Sequence, residues 1–276
     1  MYIENNNRLK ELVEYIEKNL TEEIEYKDLA KILAVNEYTL HRIFSFVTNI
    51  TLAEYIRKRR LSMAAIDLLE NNEKVLDVAI KYQYDSGEAF ARAFKKMMGF
   101  LPKDIHKNKD NIKYFPILTF EELSEEPKEL KFEKLENVSF DFYTISKKAK
   151  LYNLAEKTPD FWKSVYTKGD IFKGNAYGLV KYNVYDYDEN SDVTYYIASK
   201  EAFEGSQKYS IKNKNFLVFE LDIEKDITVK KAKDIGVFTH YIYANVIPGS
   251  GYNLDDVPDI EEYIDFKKVR IYIAVI

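Results

Sequence analysis

Cysteine is absent from the sequence, and only three histidines occur, far apart at positions 41, 106 and 240. Disulfide bonds and thiolate chemistry are therefore excluded, and neither a metal ion nor another cofactor is predicted. No run of about 18 apolar residues is present, so no membrane-spanning helix is predicted. The first residues are charged and lack the apolar core of a signal peptide, which predicts a cytoplasmic protein without a membrane partner.

A positive net charge is also missing, because the 276 residues carry a net charge of −5. The charge is unevenly distributed: residues 1–110 hold 18 basic and 18 acidic side chains, whereas residues 111–276 hold 23 and 28. Binding of nucleic acid by the first part would therefore depend on where its cations lie, since its overall charge is neutral.

The chain divides into two parts of different composition. Residues 1–110 contain 12 of the 41 aromatic residues and have helical periodicity throughout, whereas alternation typical of strands begins near residue 137. A charged stretch with two prolines lies between them. We therefore predict an all-helical domain at 1–108, a linker at 109–127, and an α+β domain with antiparallel sheets at 128–276.

The helical part contains one short pattern twice. A helix, a break and a second helix occur in LAKILAVNEYTLHRIF (29–44) and again in VAIKYQYDSGEAFARAF (78–94). When the copies are aligned at their ends, Arg42 falls on Arg92, each on the polar face of the second helix. Two short helices joined by a tight turn, the second with a hydrogen-bonding outer face, are typical of helix-turn-helix units.

Local signals define the ends of these helices. Asn36 is predicted to cap the second helix of the first copy, and Asp85 or Ser86 that of the second. Gly99 is predicted to end that helix, and Pro102 to begin a short closing helix. The helix LAEYIRKRRLSMAAIDLLEN would connect the two copies and carries the strongest local positive charge, at residues 57–60.

The order and spacing of these motifs, including NITLAEYIRKRRL and YDSGEAFARAFKKMMGFLP, resemble the DNA-binding domain of the AraC/XylS family over about residues 8–107. In that family each unit places its second helix in the major groove, and the two sites lie about one turn of DNA apart. The resemblance implies double-stranded DNA as a partner, binding as a monomer, and contact with RNA polymerase as an activator.

The same resemblance assigns DNA-binding roles to individual residues. Those expected to face bases are Tyr38, His41, Arg42, Gly87, Glu88, Ala91 and Arg92. The set also includes Ser86 as a cap, with Thr39, Lys95 and Lys96 as phosphate contacts; Arg57 would contact phosphate or pack at the edge of the core. Arginine can hold guanine O6 and N7 with two hydrogen bonds, and glutamate can accept one from cytosine N4.

This interpretation requires the guanidinium groups of Arg42 and Arg92 to project from the same side, about 34 Å apart along the duplex axis. An internal ion pair at either arginine would remove the basis of the DNA-binding interpretation. The sequence departs from the family pattern at Ala34 and Gln83, where glycine is usual, so strained left-handed turns are expected there. Long polar donors are common where Gly87 and Glu88 stand, so the second unit is expected to contact few bases.

The second part alternates strands and helices in the order strand–helix–strand–strand, twice over. Within it, DFWKSVY, AYGLVKY, VIPGSGYNLDDVPDIEEYIDF and RIYIAVI resemble the GyrI-like effector-binding domain over about residues 128–276. The resemblance implies a groove that binds amphipathic, often cationic small molecules. The buried glutamate of that family falls on Glu261, with Tyr263 on the same strand face; Glu262 is the alternative, because the sequence alone does not fix strand register.

A carboxylate among aromatic rings is costly to desolvate unless a cation pairs with it, so it selects positively charged apolar ligands. The rings predicted to line this site are Trp162, Tyr177, Tyr143 and Tyr263. A ligand-controlled DNA-binding regulator without catalytic residues is therefore predicted. Two alternatives remain: a hydrolase in which Glu261 and Tyr263 act as acid and base, and a constitutive regulator whose second domain binds a protein.

Overall fold

A computed structural model describes residues 6–71, 73–120, 132–150, 153–166, 176–183, 193–223, 229–264 and 267–276. The chain forms two compact units. The helical unit consists of Asn6–Glu37 and Ile50–Glu121, and the barrel unit consists of Tyr38–Asn49 and the described residues from 132 onward. Within this described part of the chain, no helix is long and apolar enough to cross a membrane. The predicted domain boundaries stay a prediction, because part of the linker lies outside the described residues.

The first half of the chain is helical, as predicted. Its helices are α1 (Asn6–Lys18), α2 (Tyr26–Leu33), α3 (Glu37–Thr48), α4 (Leu52–Glu70), α5 (Val75–Lys81) and α6 (Gly87–Met98), followed by a 3₁₀ segment (Pro102–Asn111). Three of the predicted end signals are confirmed. The Ser86 hydroxyl accepts a hydrogen bond from Ala89 N at 3.1 Å, Gly99 ends α6 with φ of 91°, and Pro102 begins the 3₁₀ segment.

The two non-glycine turns take the left-handed conformation that the sequence predicts. Ala34 has φ of 54° and Gln83 has φ of 65°. Each conformation costs on the order of 1 kcal/mol for a residue with a side chain. The turn after α2 is held by hydrogen bonds from Ala34 N to Lys31 O and from Val35 N to Ala30 O, both 3.0 Å long.

The cationic run on α4 holds the helical unit together. Arg59 is largely buried and pairs with Glu17 at 2.8 Å, while Arg60 donates to the carbonyl of Leu20 at 2.8 Å. Arg57 remains exposed. The strongest positive stretch in the sequence is therefore mostly engaged in internal contacts, and only part of it faces solvent.

The second half has the predicted strand–helix–strand–strand order twice. Its elements are β1 (Phe132–Ala149), α7 (Leu154–Tyr166), β2 (Ala176–Tyr182), β3 (Val193–Ser199), β4 (Gln207–Asp222), α8 (Val229–Tyr241), β5 (Asp259–Ile264) and β6 (Lys268–Val275). A π-helical turn (Ile242–Val246) extends α8. The strands pair antiparallel, as predicted, and close into one barrel in the order β1-β3-β2-β5-β6-β4.

Alternation along the strands separates two faces of the barrel wall. One face carries a cluster to which every strand contributes, including Phe142, Tyr177, Ala198, Phe216, Ile260 and Tyr272, and it fills the inside. On the other face, Tyr195 and Ile197 pack against Trp162 and Val165 of α7. Adjacent residues of β5 therefore point to opposite sides of the wall.

Candidate functional site

Glu261 lies on the outer face of β5, among the side chains of three aromatic residues. Its Oε2 accepts hydrogen bonds from the hydroxyl of Tyr263 at 2.8 Å and from that of Tyr195 at 3.1 Å. Trp162 Nε1 in turn donates to the Tyr195 hydroxyl at 3.0 Å. The rings of Trp162 and Tyr263 meet edge to face, 5.5 Å apart. We call Glu261, Tyr195, Tyr263 and Trp162 the Glu261 site.

Gly178 of β2 makes room for this arrangement. It lies directly opposite Glu261 in the sheet, and a Cβ at this position would clash with the Tyr195 hydroxyl and come within 2.7 Å of Glu261 Oε2. Any side chain here would displace the carboxylate or the phenol. The absence of a side chain at residue 178 is therefore a structural requirement of the site.

Burial raises the pKa of the Glu261 carboxyl above its ordinary value, and the hydrogen bonds from Tyr263 and Tyr195 oppose that rise. Glu261 and Tyr263 remain partly exposed. Within the described residues, no lysine or arginine forms an ion pair with Glu261. The carboxylate is therefore held by neutral phenols, in surroundings that favour an added cation.

Glu262 faces the inside of the barrel. Its two carboxylate oxygens accept hydrogen bonds from the hydroxyls of Tyr177 at 3.0 Å and Tyr272 at 2.5 Å. The ammonium of Lys200 lies 4.1 Å from the centroid of the Phe142 ring and 5.2 Å from that of Tyr177. Glu262 opposes the lowering of the Lys200 pKa that burial causes. This carboxylate already has a cation of the chain nearby.

Two of the predicted pocket rings lie away from Glu261. Tyr177 is opposite Glu262 in the register and binds that carboxylate, because it is one residue away from Gly178 on β2. Tyr143 is on β1, opposite Ser199 of β3, so two strands separate it from β5. Measured along the barrel wall at about 4.8 Å per strand, Tyr143 is roughly 14 Å from β5. The prediction that Tyr177 and Tyr143 lie beside Glu261 was wrong. Trp162 and Tyr263 do lie beside Glu261.

The face of α6 that is predicted to bind DNA is exposed to solvent. Glu88, Arg92, Lys95 and Lys96 are exposed, and Ser86, Gly87 and Ala91 are partly exposed. The buried stripe of this helix consists of Phe90, Phe94 and Met98. Hydrogen bonds from its own backbone and from Ser86 lower the pKa of Glu88, so this carboxylate takes part in capping the helix. Base and phosphate contacts by this face stay predictions.

The corresponding face of α3 is covered, contrary to the prediction of an outward Arg42 and Thr39. Only 1% of Arg42 and none of Thr39 is exposed. Arg42 Nη2 donates to Asp259 Oδ1 at 2.6 Å, and Nη1 donates to the carbonyl of Asp255 at 3.0 Å. The guanidinium carbon lies 4.3 Å from the Tyr182 ring centroid. We call Asp259, Tyr243, Tyr182 and the Asp255 carbonyl the Arg42 site.

Further contacts extend along the same side of α3. The Tyr38 hydroxyl donates to Asp256 Oδ1 at 3.1 Å, and Thr39 Oγ1 accepts from Leu254 N at 2.8 Å. One turn beyond Arg42, the ring of Phe46 stacks on that of Tyr243 with 4.5 Å between centroids. His41 is partly exposed. The exposure predicted for this face was wrong because helical periodicity defines a polar side but not what packs on it.

Asp259, Tyr243 and Tyr182 were not among the functional residues predicted from the sequence. Asp259 is 2% exposed, and its second oxygen accepts from the Tyr243 hydroxyl at 2.7 Å. Burial raises the pKa of the Asp259 carboxyl, and Arg42 is the strongest influence against that rise. One signal was available: in PDIEEY, Asp259 stands two residues before Glu261, which places both carboxylates on one strand face.

Comparisons with known proteins cover both parts of the chain. Residues 29–108 match a family described as a helix-turn-helix domain. Residues 134–275, about half of the chain, match the family of integron-associated effector binding proteins. Among solved structures, the integron cassette protein VCH_CASS2 of Vibrio cholerae is 18% identical, with 54% of this chain and 97% of that chain covered and a TM-score of 0.37.

Several curated relatives match the helical part of the chain, and two of the three reported below are named as regulators. The transcriptional activator AarP of Providencia stuartii is 38% identical over 94 residues, which are 34% of this chain and 70% of AarP. The Tn10 TetD protein of Escherichia coli is 37% identical over 101 residues, 37% of this chain and 73% of TetD. The regulatory protein SoxS of Salmonella typhimurium is 32% identical over 96 residues, 35% of this chain and 90% of SoxS. The chain therefore belongs to the AraC-type helix-turn-helix regulators and carries a GyrI-like effector-binding domain in its C-terminal part.

Proposed function

We propose that this protein is a DNA-binding transcriptional regulator controlled by a small amphipathic cation that binds at the Glu261 site. The observation that carries the ligand assignment is a partly exposed carboxylate held by two phenols and an indole, with no cationic partner among the described residues. Arg42 is held in an internal ion pair, so the condition placed on the two arginines from the sequence fails, and DNA binding is not argued from them. Family membership supports the DNA-binding part of the proposal instead.

The chemistry of the Glu261 site defines the class of ligand. A cation placed against Glu261 would replace water around a carboxylate whose pKa burial has raised. The faces of Tyr263 and Trp162 offer cation–π attraction and an apolar surface. A quaternary or delocalised cation with apolar substituents satisfies both demands, whereas a small hydrated cation such as ammonium loses more on desolvation.

The DNA-binding surface that supports the proposal most directly is the outer face of α6. Its exposed arginine and two lysines can contact phosphates or base edges in a major groove. We further propose binding as a monomer, through two helix-turn-helix units, and activation through contact with RNA polymerase. Location in the cytoplasm is part of the same proposal.

Thermal unfolding of the full chain with tetraphenylphosphonium tests the ligand assignment. At about 100 times the Kd, the melting temperature should rise by about 5 °C. Glu261→Gln should abolish the shift, while Glu262→Gln, the same change on the opposite face of the strand, should retain it. An equal shift in wild type and Glu261→Gln would refute the site.

Selection of binding duplexes from a random library tests the DNA-binding part. The recovered duplex should bind with strongly salt-dependent affinity. Arg92→Ala should weaken binding by about 1–3 kcal/mol, whereas Lys212→Ala, an exposed cation of the barrel, should change it little. Enrichment of no sequence by the wild type or by any variant described below would overturn the assignment.

A hydrolytic role is a second candidate, because the Glu261 carboxylate and the Tyr263 hydroxyl form a hydrogen-bonded acid–base pair in a partly exposed position. Mass analysis of any stabilising molecule after incubation separates the two. A regulator returns the molecule unchanged, and a hydrolase returns one or two products whose summed mass is that of the molecule plus one water.

A further inference from the structure

One helix of this chain has two assignments that conflict. By sequence, α3 is the second helix of the first helix-turn-helix unit, inside the matched range 29–108. By its contacts, Tyr38–Asn49 belongs to the barrel unit. The side chains that make those contacts include Tyr38, Thr39 and Arg42, which the family resemblance assigns to DNA.

The Arg42 site provides a complete set of partners for a cation. It offers a buried carboxylate oxygen, a backbone carbonyl oxygen and the faces of two aromatic rings. The Tyr243 hydroxyl fixes the second oxygen of Asp259, which orients the first toward Arg42. Without a cation, this carboxylate would remain buried with phenols as its main partners.

The fit of Arg42 is nevertheless incomplete. Its Nε is buried and has no hydrogen-bond partner among the described residues. A buried donor without a partner opposes the buried state, because water would satisfy it once the helix moved away. Two nitrogens of the guanidinium therefore have hydrogen-bond partners, and the third has none among the described residues. Such an unsatisfied donor is expected in a contact that exchanges with another partner.

We propose that the barrel and DNA compete for the same face of α3, so that the structure represents a state in which the first recognition helix is withheld from DNA. Arg42 is 1% exposed while it is bound to Asp259 and the Asp255 carbonyl, so no base can reach it there, and Phe46 cannot stack on Tyr243 while α3 lies in a groove. The proposal rests on the DNA-binding function proposed above. The apparent DNA affinity is then lowered by the fraction of molecules in which α3 is held.

A pair of engineered cysteines tests the competition directly, since the chain has no cysteine of its own. Thr39 Oγ1 and Leu254 N are 2.8 Å apart, which places the two Cα atoms within about 6.7 Å, in the range of a disulfide. In the full-length variant Thr39→Cys with Leu254→Cys, oxidation should weaken binding to the selected duplex at least tenfold. Reduction should restore it, and each single variant should not respond.

The variant Asp259→Asn tests the competition by weakening the contact between α3 and the barrel, whereas the disulfide strengthens it. It removes the carboxylate that holds Arg42 and leaves all predicted DNA-contacting residues unchanged, so DNA affinity should rise about tenfold, the usual size of a coupling between two sites. Asp141→Asn makes the same charge change at an exposed surface pair with Lys212 and should leave affinity as it was. Circular dichroism shows whether each variant remains folded.

The outcomes separate this proposal from the function on which it rests. If the oxidised pair binds DNA as tightly as the reduced pair, the competition is disproved and the DNA-binding function stands. If the disulfide does not form, Asp259→Asn decides the question, and an affinity equal to that of the wild type disproves the competition. Failure of the wild type, the reduced pair and Asp259→Asn to bind any duplex overturns the function and the competition together.

Discussion

The helices α3 and α6 begin from the same sequence pattern and end in opposite surroundings. Arg42 and Arg92 occupy equivalent positions, yet Arg42 is 1% exposed and paired with Asp259, whereas Arg92 is exposed. The repeat therefore specifies helix, turn and buried stripe in both copies. It does not specify whether the polar face meets solvent, because that depends on residues more than 200 positions away.

The differences between the copies explain the outcome. With the ends aligned, Phe46 falls on Lys96, and Thr39 falls on Ala89. A lysine at the end of the polar face keeps α6 in solvent, since an ammonium is costly to bury without a partner. A phenylalanine at that position of α3 gains from stacking on Tyr243. The outer face of α3 therefore resembles a protein contact surface as much as a DNA-binding one.

The largest difference between the two helices should appear when their arginines are removed. Arg42→Ala leaves the Asp259 carboxylate buried without its cation and should lower the free energy of unfolding by about 3–5 kcal/mol. Arg92→Ala removes an exposed side chain and should change it by less than about 0.5 kcal/mol. Urea denaturation of both variants checks this, and equal losses would contradict the structural contrast.

The next largest effects are expected from substitutions at Phe46 of α3 and Lys96 of α6. Phe46→Lys should lower the free energy of unfolding by about 1–3 kcal/mol and raise DNA affinity, because the stacked ring is lost. Lys96→Phe should weaken DNA binding and make its salt dependence less steep by about one unit of slope. Phe46→Gln is the control, since it removes the ring without adding charge. Unchanged DNA affinity in Phe46→Gln would argue against the role of Phe46.

A bound cation should shift the balance between the two helices by a smaller amount. Asp259 and Glu261 lie on one strand face about 7 Å apart, so a cation at Glu261 repels the Arg42 guanidinium. Tetraphenylphosphonium should therefore raise the affinity for the selected duplex, on the order of tenfold. Fluorescence anisotropy measures the effect, with Glu261→Gln as the control without response. A lower affinity in the presence of the cation would show that the coupling has the opposite sign.

The smallest expected effect is the dependence of the cation affinity on pH. Because burial raises the pKa of Glu261, the carboxyl becomes neutral at a higher pH than an exposed glutamate. Cation affinity should be constant above the raised pKa and should fall as the pH decreases through it. Calorimetric titration from about pH 8 to about pH 4 follows this loss. The residual affinity of Glu261→Gln should not vary over that range.

Local features of the fold were predictable from the sequence. The six helices of the first half, the cap at Ser86, the end at Gly99 and the left-handed turns at Ala34 and Gln83 each follow from a few neighbouring residues. The twofold strand–helix–strand–strand order followed from alternation and length. Closure of the strands into a barrel did not, because it requires β1 to pair with β4 across more than 60 residues.

The candidate site was predictable only in part, for the same reason. Glu261, Tyr263 and Trp162 lie together as predicted, and their binding of a ligand stays a prediction, whereas Tyr177 lies on the other side of the barrel wall. A shift of one residue in register reverses the face of every side chain, and no signal near Tyr177 fixes that register. The pairing of Arg42 with Asp259 depends on the complementarity of two segments that are distant in the chain. No local sequence pattern indicates that complementarity.

The proposed response to a ligand depends on the absence of a side chain at Gly178. A single methyl group there would occupy the space of the Tyr195 hydroxyl and the Glu261 oxygen without changing the charge of the chain. Under the proposed function, Gly178→Ala alone should remove the response to the cation, and the size of residue 178 should distinguish natural variants that respond from those that do not.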